Sequence, residues 1–154
     1  MQDFSKLKAG DKILLSETIY VARDQAHKRG IPFDVQGKII FYAGPTPAKP
    51  GKIIGAIGPT TSSRMDPFTP QLYDKGLKAT IGKGQRSQEV IEAIKRNRAV
   101  YFVALGGAAA LLSKHVLSAK VMAYPELGPE AILELKVKDF PVWVAIDSKG
   151  NSIF

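Results

Sequence analysis

The chain has 154 residues, of which 45% are apolar, and its formal net charge is +8. This length and apolar content suit a single domain, residues 1–154, with an ordinary hydrophobic core. Cysteine is absent, which excludes disulfides and excludes any iron–sulfur or zinc–thiolate centre held by this chain alone.

The first third of the chain is predicted to form short strands around one short helix. Gly30 and Pro32 follow residues 23–29 and predict that a short helix ends there. The segment 19–22 either continues the first strand or leads into this helix. Apolar runs flanked by turn residues predict strands at 12–16, 38–42 and 52–57.

Helices and strands are predicted to alternate through the centre, and strands dominate the end. Thr69 is predicted to be the N-cap of a helix that has Pro70 at its first position and ends at Gly76. Ser87 is predicted to cap the next helix. A strand-to-helix corner is expected at the glycine pair 106–107, with a helix to about 118. Strands are predicted at 78–81, 100–105, 132–137 and 142–147. Simple βαβ alternation fails at both ends, which argues against a plain doubly wound sheet.

Hydroxyl groups and cations cluster near successive predicted strand ends. After 52–57 the chain reads Gly-Pro-Thr-Thr-Ser-Ser-Arg at 58–64, and Lys83 lies between two glycines. Backbone N–H groups at helix starts bind anions, and the Arg64 guanidinium matches a carboxylate. Since ligands of α/β sheets gather at strand ends, an anion site is one interpretation. The alternative is local structure only, with a capping hydroxyl and an exposed lysine in a turn.

The segment 22–29 holds a second concentration of charge. If it is helical, Arg23 and His27 share one face, and Asp24 and Lys28 share another. The ordinary interpretation is a solvated helix with an ion pair between Asp24 and Lys28. The spacing by itself leaves a functional role for these residues open.

Several kinds of site are not indicated by the sequence. No His, Asp and Glu residues stand at metal-ligand spacing, and His27 and His115 stand alone. The cations are scattered and aromatic residues do not interleave with them, which disfavours nucleic-acid binding. The longest apolar stretch, 99–112, is too short to span a bilayer, and residues 1–12 show no secretory signal. We therefore expect a cytoplasmic protein without a membrane span.

Six stretches carry a resemblance to a known family. They are TIYVARDQAHKR, GPTTSSRMDPFTP, IGKGQRS, LGGAAALL, YPELGPEAI and FPVWVAIDSKGNSIF. In this order they resemble the β subunit, or C-terminal domain, of the class I fumarate hydratases. These are iron–sulfur hydro-lyases, and their family also includes L(+)-tartrate dehydratase. The resemblance runs from about Leu7 to Phe154. One departure is Glu17, where family members often have glycine.

The resemblance implies a swivelling β/β/α domain, an α/β fold of three layers with a mixed sheet. It implies a separate α subunit whose cysteines hold a four-iron four-sulfur cluster, in a dimer of αβ pairs (α₂β₂), while this chain holds no metal. The implied reaction is the reversible hydration of fumarate to L-malate. The cluster would act as a Lewis acid on the departing hydroxyl, and fixed cations would stabilise charge at the neighbouring carboxylate.

The resemblance also implies roles for individual residues. Arg23, Arg64 and Lys83 correspond to the family's carboxylate clamps, and the last two are expected to be catalytic. Thr60 resembles the family's catalytic, substrate-binding hydroxyl at the reacting carbon. Because a bare threonine is a poor base, Thr60 would need a carboxylate, which the α subunit would supply. Residues implied to support the site, by orienting an arginine or meeting the partner, are Asp24, His27 and Thr61.

Two alternatives to fumarate hydration stay open. The first is a hydro-lyase of the same family that acts on L(+)-tartrate or on mesaconate, although the stretches GKGQRS and ELGPEAI are more like those of the fumarate enzymes. The second is a basic nucleic-acid-binding module that uses the +8 charge. This second alternative lacks the concentrated cationic surface that such modules show.

Overall fold

The computed structural model describes residues 3–104 and 109–154. Within them the strands are β1 (Lys12–Leu15), β2 (Thr18–Val21), β3 (Ile39–Phe41), β4 (Ala79–Gly82), β5 (Val100–Val103), β6 (Val116–Ala123), β7 (Ile132–Val137) and β8 (Phe140–Ile146). The α-helices are α1 (Asp24–Arg29), α2 (Thr69–Asp74), α3 (Gln88–Asn97) and α4 (Ala109–Ser113). Short 3₁₀ helices are formed by Phe4–Lys6, Ser62–Met65 and Pro125–Glu130.

The eight strands form one mixed sheet in the order β1-β8-β5-β4-β3-β2-β7-β6. The four central strands, β5, β4, β3 and β2, run parallel to one another. The outer strands are antiparallel to their inner neighbours, with β8 and β1 on one side and β7 and β6 on the other. The predicted α/β class with a mixed sheet is confirmed, and the antiparallel flanks explain why βαβ alternation failed at both ends.

The sheet curls so that one of its faces encloses a core. β3 and β8 are separated by β4 and β5, and in a flat sheet they would lie about 14 Å apart. The ring centroids of Phe41 on β3 and Phe140 on β8 are nevertheless only 5.5 Å apart, in an edge-to-face contact. Side chains from both ends of the sheet, such as Leu15 and Leu135, join the same buried cluster. The curled sheet therefore supplies two layers of the expected β/β/α arrangement.

Helices cover the opposite face of the sheet and provide its third layer. Along α3, the buried residues Val90, Ala93 and Ile94 follow the i, i+3, i+4 spacing of an amphipathic helix. They belong to the same buried cluster as Ile40 of β3 and Tyr101 of β5. The longest helix that the structure describes, α3, has ten residues, and no described helix could cross a bilayer.

The predicted helix boundaries hold at α1 and α3. Gly30 follows α1 with a φ of 100°, a backbone conformation that favours glycine. The Ser87 hydroxyl caps α3 by accepting a hydrogen bond from Val90 N at 3.3 Å. The start of α2 differs, because Thr69 is already its first helical residue. The Thr69 hydroxyl donates to Met65 O at 2.8 Å instead of capping the helix.

The predicted strand at 52–57 is wrong, because the chain there is irregular. Both edges of β3 are occupied, by β2 and β4, so the segment has no place beside that strand. It contacts Thr46 instead: Thr46 N donates to Ala56 O at 2.9 Å, and Ala56 N donates to Thr46 Oγ1 at 2.9 Å. Ile57 is buried but Ile53 is half exposed, so only part of the apolar run serves the core.

The predicted helix at 107–118 is wrong in its second half. α4 ends at Ser113, and Val116 begins β6, the outermost strand on its side of the sheet. β6 pairs with β7 alone, and the pairing shifts register at two places. Such bulges break the alternation of buried and exposed residues that identifies a strand in a sequence. The corner expected at the glycine pair 106–107 lies outside the described residues.

Candidate active site

The candidate site lies where parallel strands end at one edge of the sheet. β2 leads into residues 23–24, and β4 leads into Lys83. The segment between β3 and α2 runs along this edge, where Thr60 N donates to Tyr42 O at 2.8 Å and Ser62 N donates to Lys83 O at 3.0 Å. These bonds bring the predicted hydroxyl-rich stretch and the glycine-flanked lysine into one place, because parallel neighbours present their carboxyl ends together.

Arg64 connects the two predicted motifs through its guanidinium group. Its Nε donates to Asp24 Oδ2 at 2.9 Å, and its Nη2 donates to Asp24 Oδ1 at 3.3 Å and to Thr60 Oγ1 at 2.6 Å. The bond from Arg64 lowers the pKa of the Asp24 carboxyl and raises the pKa of Arg64 itself. Asp24 therefore pairs across the sheet edge with Arg64, and no described ion pair joins it to Lys28 along the helix.

Arg23 lies beside this cluster and immediately precedes α1. Its Nε is 3.8 Å from Asp24 Oδ1 and 3.6 Å from Glu130 Oε1. This Nε is buried and has no hydrogen-bond partner among the described residues. The guanidinium packs against Gly44, where a Cβ atom would lie 2.4 Å from Arg23 Nη1. Any larger residue at position 44 would displace Arg23 from its place next to Asp24.

Lys83 is brought to the site through its backbone. It forms a parallel bridge with Thr61, and parallel-bridged residues project toward the same side of a sheet. Gly82 permits this approach, because a Cβ atom there would lie 1.9 Å from Ser62 Oγ. The Lys83 side chain is exposed. The structure thus places all four proposed substrate-binding residues at one sheet edge, and their roles stay predictions.

His27 lies in α1 beneath the site, among aromatic rings. Its ring centroid is 5.5 Å from that of Tyr42 and 6.0 Å from that of Phe68. The side chain is 4% exposed, and neither ring nitrogen has a hydrogen-bond partner among the described residues. His27 thus makes no hydrogen bond to an arginine in the described structure, and its surroundings are those of a packing residue. Burial lowers its pKa to about 4 from an ordinary 6.5.

We expect His27 to make the domain less stable in mild acid. The imidazole gains a proton near pH 6.5 when unfolded and only near pH 4 when folded. The contribution of His27 to the free energy of unfolding is therefore complete above pH 6.5 and is lost as the pH falls from 6.5 toward 4. The free energy of unfolding should fall by about 2 kcal/mol between pH 7 and pH 5. Urea denaturation of the chain at both pH values measures this difference.

Two substitutions separate His27 from other titrating groups. His27→Phe keeps a ring against Tyr42 and Phe68 and removes the proton-binding site, so most of the loss between pH 7 and pH 5 should disappear. His115→Gln leaves His27 in place and should retain the full loss. An equal pH dependence in the wild type and in His27→Phe would contradict the assignment.

A buried cation next to the site was not singled out from the sequence. The Arg86 side chain is fully buried and pairs with Asp66, whose Oδ1 is 2.6 Å from Arg86 Nε. Its other nitrogens donate to Thr80 Oγ1 at 3.1 Å, Tyr42 OH at 3.1 Å and Thr69 Oγ1 at 2.9 Å. No sequence signal distinguishes this arginine from the exposed ones, because its burial depends on side chains from four separate segments.

Tyr101 completes this buried polar cluster. The guanidinium carbon of Arg86 lies 4.9 Å from the centroid of the Tyr101 ring. The Tyr101 hydroxyl is 2.8 Å from Ser62 Oγ and donates to Gly84 O at 2.8 Å. Burial raises the pKa of Tyr101 to about 12, so the hydroxyl keeps its proton and stays a donor at neutral pH. The cluster therefore touches both segments that carry the proposed site residues.

Comparison with known proteins identifies the family of this domain. A family model described as "Fumarase C-terminus" matches residues 1–154. The chain belongs to the fumarase C-terminus family. The resemblance seen in the six sequence stretches is thereby confirmed.

Two relatives contain a matching domain, one as a small part of its length and the other over most of its length. The aerobic class I fumarate hydratase of Salmonella typhimurium is 36% identical over 165 residues, covering 100% of this chain and 28% of the relative. The putative L(+)-tartrate dehydratase subunit beta of Methanocaldococcus jannaschii is 40% identical over 168 residues, covering 99% of this chain and 86% of the relative. The chain spans less than a third of the fumarate hydratase that it matches.

Proposed function

We propose that this fumarase C-terminus domain is the β subunit of a two-subunit class I fumarate hydratase, which reversibly hydrates fumarate to L-malate. The observation that carries the proposal is the contact of Arg64 with both Asp24 and Thr60, which fixes a cation beside a hydroxyl at the sheet edge. A carboxylate next to a reacting carbon needs such a pair of groups. The class I fumarate hydratase relative supports the choice of reaction.

Arg64 keeps donors available for a substrate. Its Nε and Nη2 are bonded to Asp24 and Thr60, and the two N–H groups of Nη1 have no partner among the described residues. The side chain is 45% exposed, so a carboxylate can reach it from solvent. We assign Nη1 to a substrate carboxylate, with Asp24 holding the guanidinium plane in position.

Thr60 is assigned to proton transfer at the reacting carbon. Its Oγ1 accepts a hydrogen bond from Arg64, and its own O–H proton has no acceptor among the described residues. In the hydration direction Thr60 gives that proton to carbon and recovers one from a carboxylic acid of the partner; dehydration reverses both transfers. The Arg64 cation lowers the cost of the alkoxide that forms between the two transfers.

Arg23 and Lys83 are assigned to electrostatic stabilisation of the dianion. No described residue accepts a hydrogen bond from the buried Arg23 Nε, and Lys83 is an exposed residue whose backbone is bridged to that of Thr61. Proton removal next to a carboxylate increases the negative charge on that group. Fixed donors placed at a developing charge stabilise it by roughly 3–4 kcal/mol each. These two cations therefore suit the carboxylates of a small dicarboxylic acid.

The cluster of the proposed enzyme would belong to another chain. Iron–sulfur clusters are held by cysteine thiolates, and this chain has no cysteine. Within residues 3–104 and 109–154, no three His, Asp or Glu side chains group in a way that could hold a metal. The residues present therefore do not fit the cluster, and we assign it to an α subunit in a cytoplasmic α₂β₂ assembly.

Tartrate is the second candidate substrate. The Methanocaldococcus jannaschii relative, named a putative L(+)-tartrate dehydratase subunit beta, is 40% identical and is covered over 86% of its length. Tartrate and malate both carry two carboxylates and a hydroxyl on the neighbouring carbon, so the same cations suit either molecule. Mesaconate, a methylated fumarate, is a third candidate with the same two carboxylates.

Co-expression with an α subunit that carries the cluster, followed by anaerobic purification, tests the proposed function. The purified assembly is assayed with fumarate, L-malate, L(+)-tartrate and mesaconate, and we expect kcat/KM to be highest for the fumarate and malate pair. The chain alone should be colourless and inactive. A preference for tartrate would favour the second candidate, and cluster absorbance from the chain alone would contradict the assignment of the cluster to the α subunit.

A further inference from the structure

We propose that Arg86 is a positioning residue that sets the distance between the two segments carrying the proposed site residues, without touching substrate. This inference rests on the proposed function for its catalytic consequence. Its structural part, that Arg86 and Tyr101 lock the two segments together, stands on the contacts alone.

The buried ion pair joins the two segments directly. Asp66 lies two residues after Arg64, and Arg86 lies three residues after Lys83. Asp66 uses both carboxylate oxygens, since Oδ1 accepts from Arg86 Nε at 2.6 Å and Oδ2 accepts from Ser87 N at 2.8 Å. A change in the relative position of the segments would break both bonds, so the pair fixes the offset of Lys83 from Arg64.

The Tyr101 hydroxyl forms a second connection between the same segments. It contacts Ser62 Oγ on one segment and Gly84 O on the other, each at 2.8 Å. Tyr101 lies in β5, between β4 and β8. Its hydroxyl therefore fixes the position of both segments relative to the sheet. The two bonds of the Tyr101 hydroxyl and the Arg86–Asp66 ion pair therefore hold Thr60, Arg64 and Lys83 in a fixed arrangement.

The chemistry of Arg86 favours a geometric role over a purely stabilising one. A buried ion pair is often replaceable by apolar side chains of similar volume without loss of stability. Arg86 instead makes four hydrogen bonds through its guanidinium group, and its guanidinium carbon lies 5.1 Å and 4.9 Å from the ring centroids of Tyr42 and Tyr101. Only a planar group with donors in several directions satisfies this set.

Arg86→Lys and Tyr101→Phe test the inference in the αβ assembly and in the full chain. Lysine keeps the charge and loses the planar fork, and phenylalanine keeps the ring and loses the bonds to Ser62 and Gly84. Each variant should lower kcat/KM for fumarate at least about tenfold, mainly through kcat, since misplacement by about 1 Å can cost 10²-fold. Matched controls are Arg96→Lys, in an exposed pair with Asp74, and Tyr20→Phe, a buried tyrosine whose hydroxyl bonds Glu134 Oε2 at 3.4 Å instead.

Hydrogen exchange in the chain supplies a readout that does not depend on activity. Exchange of the Ser62 and Ser87 amides, which bond Lys83 O and Asp66 Oδ2, should quicken at least about tenfold in Arg86→Lys. The Val144 amide, bonded to Asp11 O, should be unchanged. If Arg86→Lys does not fold, Tyr101→Phe tests the inference by itself. The exchange rate of the Ser62 amide and kcat for fumarate are then the two readouts.

The outcomes separate the inference from the proposed function. Faster exchange at the two segments in an assembly that hydrates none of the acids would overturn the proposed function and support the locking role. Full activity with unchanged exchange in folded variants would overturn the positioning role. Loss of activity in the controls as large as in the two variants would also overturn it, because a general loss of packing would then explain the effect.

Discussion

Replacing Arg64 with alanine is expected to lower kcat/KM for fumarate hydration about 10³-fold in the assembly with the α subunit. The substitution removes the donor that we assign to the substrate carboxylate and also the bond that fixes the Thr60 hydroxyl at 2.6 Å. Loss of one donor at a developing charge typically costs 10²–10³ in rate. Steady-state kinetics with fumarate and with L-malate measure the change.

Folding should be preserved in Arg64→Ala because the side chain is 45% exposed, and circular dichroism checks this. Lys83→Ala is expected to behave similarly. Arg29→Ala is the matched control, since Arg29 is an exposed cation of α1 that pairs with Glu126 and lies outside the proposed site. Turnover near the wild-type value in Arg64→Ala or Lys83→Ala would refute the clamp role.

Replacing Asp66 with asparagine is expected to destabilise the domain by about 3–5 kcal/mol. The substitution leaves the Arg86 charge buried without its carboxylate partner, and uncompensated buried charges carry costs of this size. In the wild type, Arg86 Nε and Ser87 N both donate to the Asp66 carboxylate. In the variant, the asparagine N–H₂ group would face one of these two donors. Urea denaturation monitored by the single tryptophan gives the free energy of unfolding.

Asp74→Asn provides the comparison for the buried pair. Asp74 also binds an arginine, with Arg96 Nε and Nη2 both at 2.8 Å from its oxygens, but both side chains are about half exposed. Exposed ion pairs contribute about 0–1 kcal/mol, so Asp74→Asn should cost no more than that. Equal losses in the two variants would show that burial of Arg86 has no special energetic consequence.

Local signals in the sequence predicted much of the helical structure. Gly30 and Ser87 marked the end of α1 and the start of α3, because a positive φ and a capping hydroxyl depend on residues adjacent in the chain. Most strands were also found from apolar runs. The irregular segment 52–57 was mistaken for a strand because its apolar residues could not reveal that both edges of β3 were already paired.

The site was predicted less completely than the fold, for a physical reason. Residue types and the family resemblance pointed to Arg23, Thr60, Arg64 and Lys83, and the structure places them at one sheet edge. The partner of Asp24 could not be predicted, because Arg64 lies 40 residues away in the chain and Lys28 lies four residues away. Arg86 was missed altogether, since nothing local distinguishes a buried arginine from a solvated one.

The central place of β8 has a consequence for biosynthesis. β8 lies between β1 and β5, pairing with Lys12 to Leu15 on one side and with residues 101–103 on the other. Until residues 140–146 leave the ribosome, β1 has no neighbour and β5 keeps an open, apolar edge that could recruit other chains. Co-translational folding should therefore stop at an intermediate in which β5, β4, β3, β2, β7 and β6 are paired but β1 and β8 are not, and truncation before β8 should yield aggregates instead of a smaller domain.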